Sequence, residues 1–363
     1  MASDKDLEAR EKVFERVEAW RRRAPKLSDD VITMAHGAGG KASLALLEAI
    51  IRPAFSNSVL DRLDDGATLE VPTGCRVVIS TDAFVVTPRR FVGGSIGDLA
   101  VNGTVNDVAA MGATPHALAV SFVLEEGLPI AEFSEIVDDV AAAAKRAGVD
   151  IVTGDTKVVE RGAADGCYIT TTGIGFLRED RKLGADTVRV GDALVISGTI
   201  GDHGIAVMVA RGNLELSSDV PSDTAPLSDL VASLLEAVPD TRWLRDPTRG
   251  GVASACNELA VAANLGIRVF EETLPVKRPV SGACELLGLD ALYIANEGKM
   301  LAVVPAEAAE AAVGAIKTSE FGADACIIGT ITDEHPGIVV INTALGGTRI
   351  IDMLVGDPMP RIC

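Results

Sequence analysis

Short apolar runs, each closed by a charged or glycine-rich break, alternate along this chain with longer stretches in which apolar residues recur every three or four positions. The short runs predict strands and the longer stretches predict helices. Strands are predicted over 76–80, 119–124, from 151, and over 168–175, 192–197 and 300–304. Helices are predicted after the glycine-rich stretch 36–43 (Leu44, Leu46, Leu47, Ile50, Ile51), from 98 to 111, and over 130–147, 205–211 and 252–263. Near the beginning, Leu7, Val13, Phe14, Val17 and Trp20 fall at helical spacing, and Arg21-Arg22-Arg23 before Pro25 ends that pattern. The order of strand, glycine loop with Asp, and helix occurs twice without a clean short repeat, which predicts an α+β class of mixed α/β layers. The texture changes at 178–189, charged and broken by glycine. The expected division is a helical extension at 1–30, a first domain at 31–185, a second at 186–355, and a tail at 356–363.

Composition narrows the function classes. The 363 residues are 48% hydrophobic and 23% charged, enough apolar material for more than one core. Lys and Arg number 33 against 52 Asp and Glu, a formal charge of −19 that repels a phosphate backbone, so no nucleic-acid partner is expected. A nucleotide bound by so acidic a chain needs a cation to mediate. No apolar run approaches membrane length. The 6 cysteines show neither a CxxC nor zinc spacing, which predicts reduced thiols in the cytoplasm.

Several positions carry candidate chemistry. The stretch His36-Gly37-Ala38-Gly39-Gly40-Lys41-Ala42-Ser43 precedes a helix, where backbone N–H groups and Lys41 suit an anion or simply form a turn. Asp64 and Asp65 lie in an acidic loop, Asp82 ends a strand, and Asp107 sits beside the helical stripe Asp98, Asn102, Asn106, expected to line a site. Asp155 ends another strand, followed by Thr156 and Lys157. Each Asp alone reads as a turn or cap residue; as a set they read as oxygen ligands of a hard cation such as magnesium. Thr248 and Arg249 precede a glycine-rich helix start and suit an anion or an ordinary N-cap. Glu297 is a general-base candidate or a turn acid. Pro358 and Pro360 stiffen a tail whose final residue is Cys363, which reads as a swinging carrier, being a nucleophile as its thiolate, or as a frayed end that happens to finish in Cys.

Taken together, HGAGGKAS (36–43), DDGA (64–67), STDAFVV (80–86), GGSIGDLAVNGTVNDVAAMGATP (93–115), VTGDTKVVERG (152–162), SGTIGDHGIAVM (197–208), RDPTRGGVA (245–253), ANEGK (295–299) and the terminal PRIC resemble the HypE family of hydrogenase maturation proteins. These are carbamoyl dehydratases of the superfamily that includes aminoimidazole ribonucleotide synthetase and selenophosphate synthetase. The departures are the N-terminal extension, Ala38 and Pro247. The resemblance implies a two-domain PurM-like architecture, with N-terminal strands forming a dimeric barrel, a C-terminal α+β domain and a flexible tail. It further implies ATP with Mg2+, the metal on Asp65, Asp82, Asp107 and Asp155. The nucleotide would contact His36, Gly39, Gly40, Lys41, Asn106, Thr156, Thr248 and Arg249. Cys363 would carry a carbamoyl group that is dehydrated to a thiocyanate, with Lys157 and Glu297 moving the protons. Implied partners are the carbamoyltransferase HypF, the HypC–HypD complex as cyano acceptor, and a second copy of the chain. A sibling synthetase acting on a small molecule is the second reading, and an acidic nucleotide-binding scaffold the third; neither gives the terminal PRIC and Lys157 together a task.

Overall fold

The computed structural model describes residues 26–38, 40–62, 66–212, 220–353 and 361–362. The expected helix within 1–25, Gly39, Asp64, Asp65 and Cys363 lie outside the described residues.

The first half is built from β1 (Cys75–Phe84), α1 (Ile96–Ala110), β2 (Thr114–Glu125), α2 (Ile130–Ala147), β3 (Asp150–Val159) and β4 (Cys167–Arg178). Its sheet runs β1-β4-β2-β3, with β3 parallel to β2 and the other pairs antiparallel. Ser95 starts α1 because its Oγ accepts from the N–H groups of Gly97 and Asp98, two donors the first turn leaves unpaired. Nearly every α1 side chain is buried, as expected of a helix that is apolar on most sides. α2 is amphipathic and ends at Gly148, whose left-handed backbone (φ 67°) returns its N–H to Ala144 and Lys145. Both helices pack on one face of the sheet. The other face is open: Val77 and Ile79 of β1 are 53% and 67% exposed.

The second half contains β5 (Ala193–Ile196), α3 (Asp202–Ala210), α4 (Ser228–Ala237), β6 (Trp243–Arg245), α5 (Gly251–Ala263), β7 (Gly266–Phe270), α6 (Arg278–Leu287), β8 (Leu301–Val304), α7 (Ala309–Ile316), β9 (Cys326–Thr332), β10 (Val339–Asn342) and β11 (Thr348–Ile351). The sheet order is β11-β10-β7-β9-β5-β8-β6, antiparallel except for β10 beside β7. Alternation along β5 and β8 divides two cores. Leu194, Ile196, Leu301 and Val303 pack toward Val252 and Leu259 of α5, whereas Val195, Ala302 and Val304 pack toward Leu230, Leu234 and Val313 of α4 and α7. Both faces are covered, so these strands are apolar throughout; truncating Leu194 to Ala would cost about 2–5 kcal/mol.

The halves share a third core. Leu99 and Val101 of α1 and Phe133 of α2 belong to one cluster with Ile205 and Val207 of α3, Val280 of α6, Ile294 and Ile362. Asn106 bolts the seam, donating from Nδ2 to Ala225 O (3.0 Å) and Glu297 O (3.3 Å) and accepting at Oδ1 from Leu227 N (2.8 Å). Among the described residues no helix is long and apolar enough to cross a membrane.

Candidate active site

At the seam, the ends of β1 and α1 face the loop after β6 and the Glu297 turn. Asp82, Asp107, Asp246 and Glu297 line a cavity of about 320 Å³ with Arg245, Thr248, Arg249 and Gly251. Asp107 lies one turn in from the end of α1, and the Ser80 hydroxyl donates to its Oδ2 at 2.7 Å. The Thr248 hydroxyl likewise donates to Asp246 Oδ2 at 2.6 Å. Two glycines turn the chain from this loop into α5: Gly250 (φ 72°) and Gly251 (φ 59°) are both left-handed. A Cβ on Gly251 would sit 2.5 Å from Leu292 O and 2.6 Å from Ile294 O, so no other residue fits.

The carboxylates disturb one another. Burial pushes Asp107 up to about 6, assisted by the charge of Asp82 and opposed by the Ser80 hydrogen bond. Asp246 is also pushed up to about 6, first by burial and then by Asp107. Asp82 is raised by burial, while the hydrogen bond it accepts from Asp107 acts the other way. Glu297 stands well above the usual carboxylate range because it is buried and faces Asp246, Asp223, Asp82 and Asp107. Its Oε1 is buried with no hydrogen-bond partner. Repelling carboxylates plus an orphaned oxygen are the donor set a hard cation relieves. Among the described residues no three such groups close into a ready-made coordination sphere. That openness fits magnesium, which keeps waters and phosphate oxygens alongside one or two carboxylates.

Glu297 is held from below. Its N–H donates to Asp223 Oδ1 at 3.0 Å, and Asp223 Oδ2 lies 3.1 Å from the Lys299 ammonium. Asn296 accepts from Gly201 N at 2.8 Å and donates to Pro247 O at 2.9 Å, which ties the Glu297 turn to the loop bearing Asp246.

Residues 63–177 match the family described as AIR synthase related protein, N-terminal domain, and residues 189–342 match AIR synthase related protein, C-terminal domain. Carbamoyl dehydratase HypE of Azotobacter vinelandii is 48% identical over 337 residues, 93% of this chain and 98% of that protein. The chain belongs to the HypE family. A crystal structure of hydrogenase maturation protein HypE in complex with ATP superposes with a TM-score of 0.88 at 43% identity, covering 91% of this chain and 99% of that one. A crystal structure of a HypE–HypF complex superposes with a TM-score of 0.75 at 45% identity, covering 85% of this chain and 100% of that one. The PurM-like two-domain fold expected of a HypE family member is the fold observed.

The structure gathers Asp82, Asp107, Thr248, Arg249 and Glu297 into one pocket. It separates Asp155, Thr156 and Lys157 from them. These lie with His36 around a second cavity of about 460 Å³, whose walls include Leu46, Phe55, Val120 and Phe122. Asp82 pairs with Thr171, Thr171 with Val120, and Val120 with Gly154. Asp155 is therefore three strands away, about 14 Å, and being one residue past Gly154 it projects from the opposite face. Lys157 Nζ is 3.3 Å from Asp155, and both side chains are more than half exposed. Within one chain, then, the expected fourth metal ligand and the expected proton carrier are not at the Asp82 site.

Asn106 is held at the seam. All its polar atoms are spent on the seam, because the Asn102–Asn106 stripe faces the loop 222–227 of the other domain rather than a ligand. His36 closes a local turn: its Nδ1 accepts from Thr33 N at 3.0 Å, and its Nε2 is 3.5 Å from Asp29. Gly40 caps the short helix that begins at Lys41, beside a shallow depression. Conversely, the sequence reading passed over Asp246, Asp223, Asn296 and Lys299. Asp246 stands inside the RDPTRGG motif, which was the available signal.

Among the described cysteines none is paired, and burial pushes Cys167 and Cys256 up to about 12 and Cys284 to about 11. Thiols so disfavoured as thiolates are inert. Near the chain end, Ile362 is buried in the shared core, and His203 Nε2 donates to its carbonyl at 2.7 Å.

Proposed function

We propose that this chain is an ATP-dependent S-carbamoyl dehydratase that converts a carbamoyl group on the Cys363 sulfur to a thiocyanate, the source of the cyano ligand in [NiFe]-hydrogenase maturation. The observation that carries this reading is the pocket in which Asp82, Asp107 and Asp246 surround Glu297.

The net reaction turns a thiocarbamate and ATP into a thiocyanate, ADP and phosphate. The carbamoyl oxygen leaves as phosphate once phosphorylated, the nitrogen loses its two protons, and the carbon–nitrogen bond becomes triple. Amide oxygen is a poor leaving group, so the phosphoryl group is what makes its departure feasible. Thr248 and Arg249 stand at the approach to α5, where they bind and orient phosphate oxygens. Magnesium on Asp82, Asp107 and Asp246 would offset phosphate charge and relieve the share of Glu297's upward shift that comes, after burial, from those neighbouring carboxylates. Glu297 Oε1, unpartnered and desolvated, then accepts a proton from the carbamoyl nitrogen. Asp223 and Asn296 fix the turn from which it does so.

Lys157 and Asp155 act from a second copy of the chain. The open sheet face, with Val77 and Ile79 exposed, is the surface on which two sheets close into a barrel. The apolar cavity beside Thr156 takes the adenine. The crystal structure of a HypE–HypF complex supports a HypF-type carbamoyltransferase as the source of the carbamoyl group. A HypC–HypD complex receives the cyano group, and the reaction takes place in the cytoplasm. A sibling synthetase would have no use for an anchored Arg361–Ile362.

The test is mass spectrometry of the C-terminal peptide after incubation with carbamoyl donor, transferase and ATP. Gain of a carbamoyl mass, followed by ATP-dependent loss of one water, is expected; a Cys363→Ala chain should show neither. Loss of water without ATP, or by a Glu297→Ala chain at the native rate, overturns the reading.

A further inference from the structure

The last described residue does not lie on the surface. Ile362 is 4% exposed, packed into the core shared by the two halves, while Arg361 before it stays in solvent. The turn between them is left-handed at Arg361 (φ 56°), an uncommon conformation for a residue with a side chain and one that needs neighbouring contacts to hold it. Those contacts exist on both sides of the seam. The Arg361 guanidinium pairs with Asp165, in the loop between β3 and β4, and its carbonyl accepts from Arg211 at the end of α3.

The centre of this arrangement is His203. Its ring is fully buried, edge-on to Phe91 with ring centroids 5.5 Å apart. Nε2 lies 2.7 Å from Ile362 O, and Nδ1 lies 2.8 Å from Ser222 Oγ. A carbonyl can only accept, so Nε2 bears the proton and Nδ1 accepts from the serine hydroxyl. Burial lowers the ring's proton affinity, which keeps it in this neutral, single-donor form. Among the described residues no other partner serves Nε2. Were the tail to leave, a buried N–H would be stranded in an apolar core, so the body of the protein itself favours the docked chain end.

We propose that His203 is a positioning residue: with Ser222 fixing its tautomer, it latches the carrier tail to the body through the Ile362 carbonyl, next to the residue that bears the substrate. This rests on the carrier role of Cys363 given above. The latch grips main chain and an isoleucine side chain, not sulfur, so it holds the tail alike whether the cysteine is free, carbamoylated or cyanated. Release then depends on a partner that competes for the chain end, and not on completion of the chemistry.

The experiment compares the full-length protein with His203→Ala, His203→Gln and Ile362→Ala chains. The first readout is the rate at which a bulky maleimide labels Cys363, followed on the C-terminal peptide without ATP or carbamoyl donor. Labelling about tenfold faster is expected for His203→Ala, the size of effect one lost buried hydrogen bond gives, and faster labelling than native for Ile362→Ala, which keeps the carbonyl but strips the buried side chain from the core. His203→Gln, which keeps a side-chain N–H donor, is expected to label more slowly than His203→Ala. The second readout is single-turnover dehydration of the carbamoylated chain: a lower rate constant at saturating ATP with an unchanged KM for ATP. Ile362→Ala keeps His203 and its Ser222 hydrogen bond in place, and with its fold checked by circular dichroism it reports even where His203→Ala fails to fold. Native labelling rates in a folded Ile362→Ala chain overturn the latch. Labelling that responds as expected in a protein that never loses water upholds the latch and removes the dehydratase reading instead.

Discussion

Asp223 and Lys299 form a buried ion pair, 3.1 Å from oxygen to nitrogen, directly beneath Glu297. Their side chains are only 3% and 9% exposed, so neither charge can fall back on water. Lys299→Met is expected to strand a buried carboxylate and destabilise the protein by about 3–5 kcal/mol, measured by urea unfolding. A loss below about 1 kcal/mol would show that the pair is dispensable, since that is the range of exposed pairs.

The coupled carboxylates make stability depend on pH in a stated direction. Asp107 and Asp246 titrate near 6 in the folded protein against an ordinary value of 3.8, so the folded state holds their protons more tightly than the unfolded one. Their favourable contribution is whole below the ordinary value and is lost as pH rises through about 6. Without magnesium, Tm should fall between about pH 4 and about pH 7 by more in the native chain than in Asp107→Asn. Added magnesium should raise Tm more at neutral than at acid pH. Equal shifts at both would mean that the cation binds elsewhere.

Gly251→Ala tests the turn into α5. The left-handed backbone and the two carbonyls in the way of a Cβ predict a loss of at least about 1–3 kcal/mol and weakened ATP binding. Gly282→Ala in α6 is the contrast: a Cβ there meets nothing within 4 Å, so the change should stabilise by about 0.5–1 kcal/mol. Calorimetry on the two variants decides between strain and a general intolerance of change.

The proposal that Lys157 acts from a second copy of the chain makes a further outcome measurable. Asp82→Asn and Lys157→Ala homodimers should each be inactive. Mixing and re-equilibrating them should restore about a quarter of native activity, because half the dimers are mixed and each holds one intact site. Mixtures that stay inactive would place both residues in one chain's site.

Much of the scaffold was legible in the chain. The apolar periodicity predicted α2 at the bounds it has, and Asp82 and Asp107 stood out as strand-end and helix-face carboxylates. What pattern alone did not reveal is strand order: nothing local to 150–159 says that β3 lies at the far edge from β1, which is why Asp155 and Lys157 were grouped with Asp82. The polar stripe at Asn102 and Asn106 was visible, but a stripe that meets another domain and one that meets a ligand look alike in sequence. Asp246 was hidden by its neighbours, since an Asp before Pro and Thr has the form of a helix cap.

The apolar cluster running from α1 and α2 into α3 and α6 welds the two halves. Parting them would expose that interior to water, so the pocket cannot gape and shut like a jaw. Access for a bulky macromolecular substrate is correspondingly denied. A thin stretch of extended polypeptide can enter a crevice between welded halves where a folded protein cannot, which would suit the proposed carriage of the reacting group on Cys363.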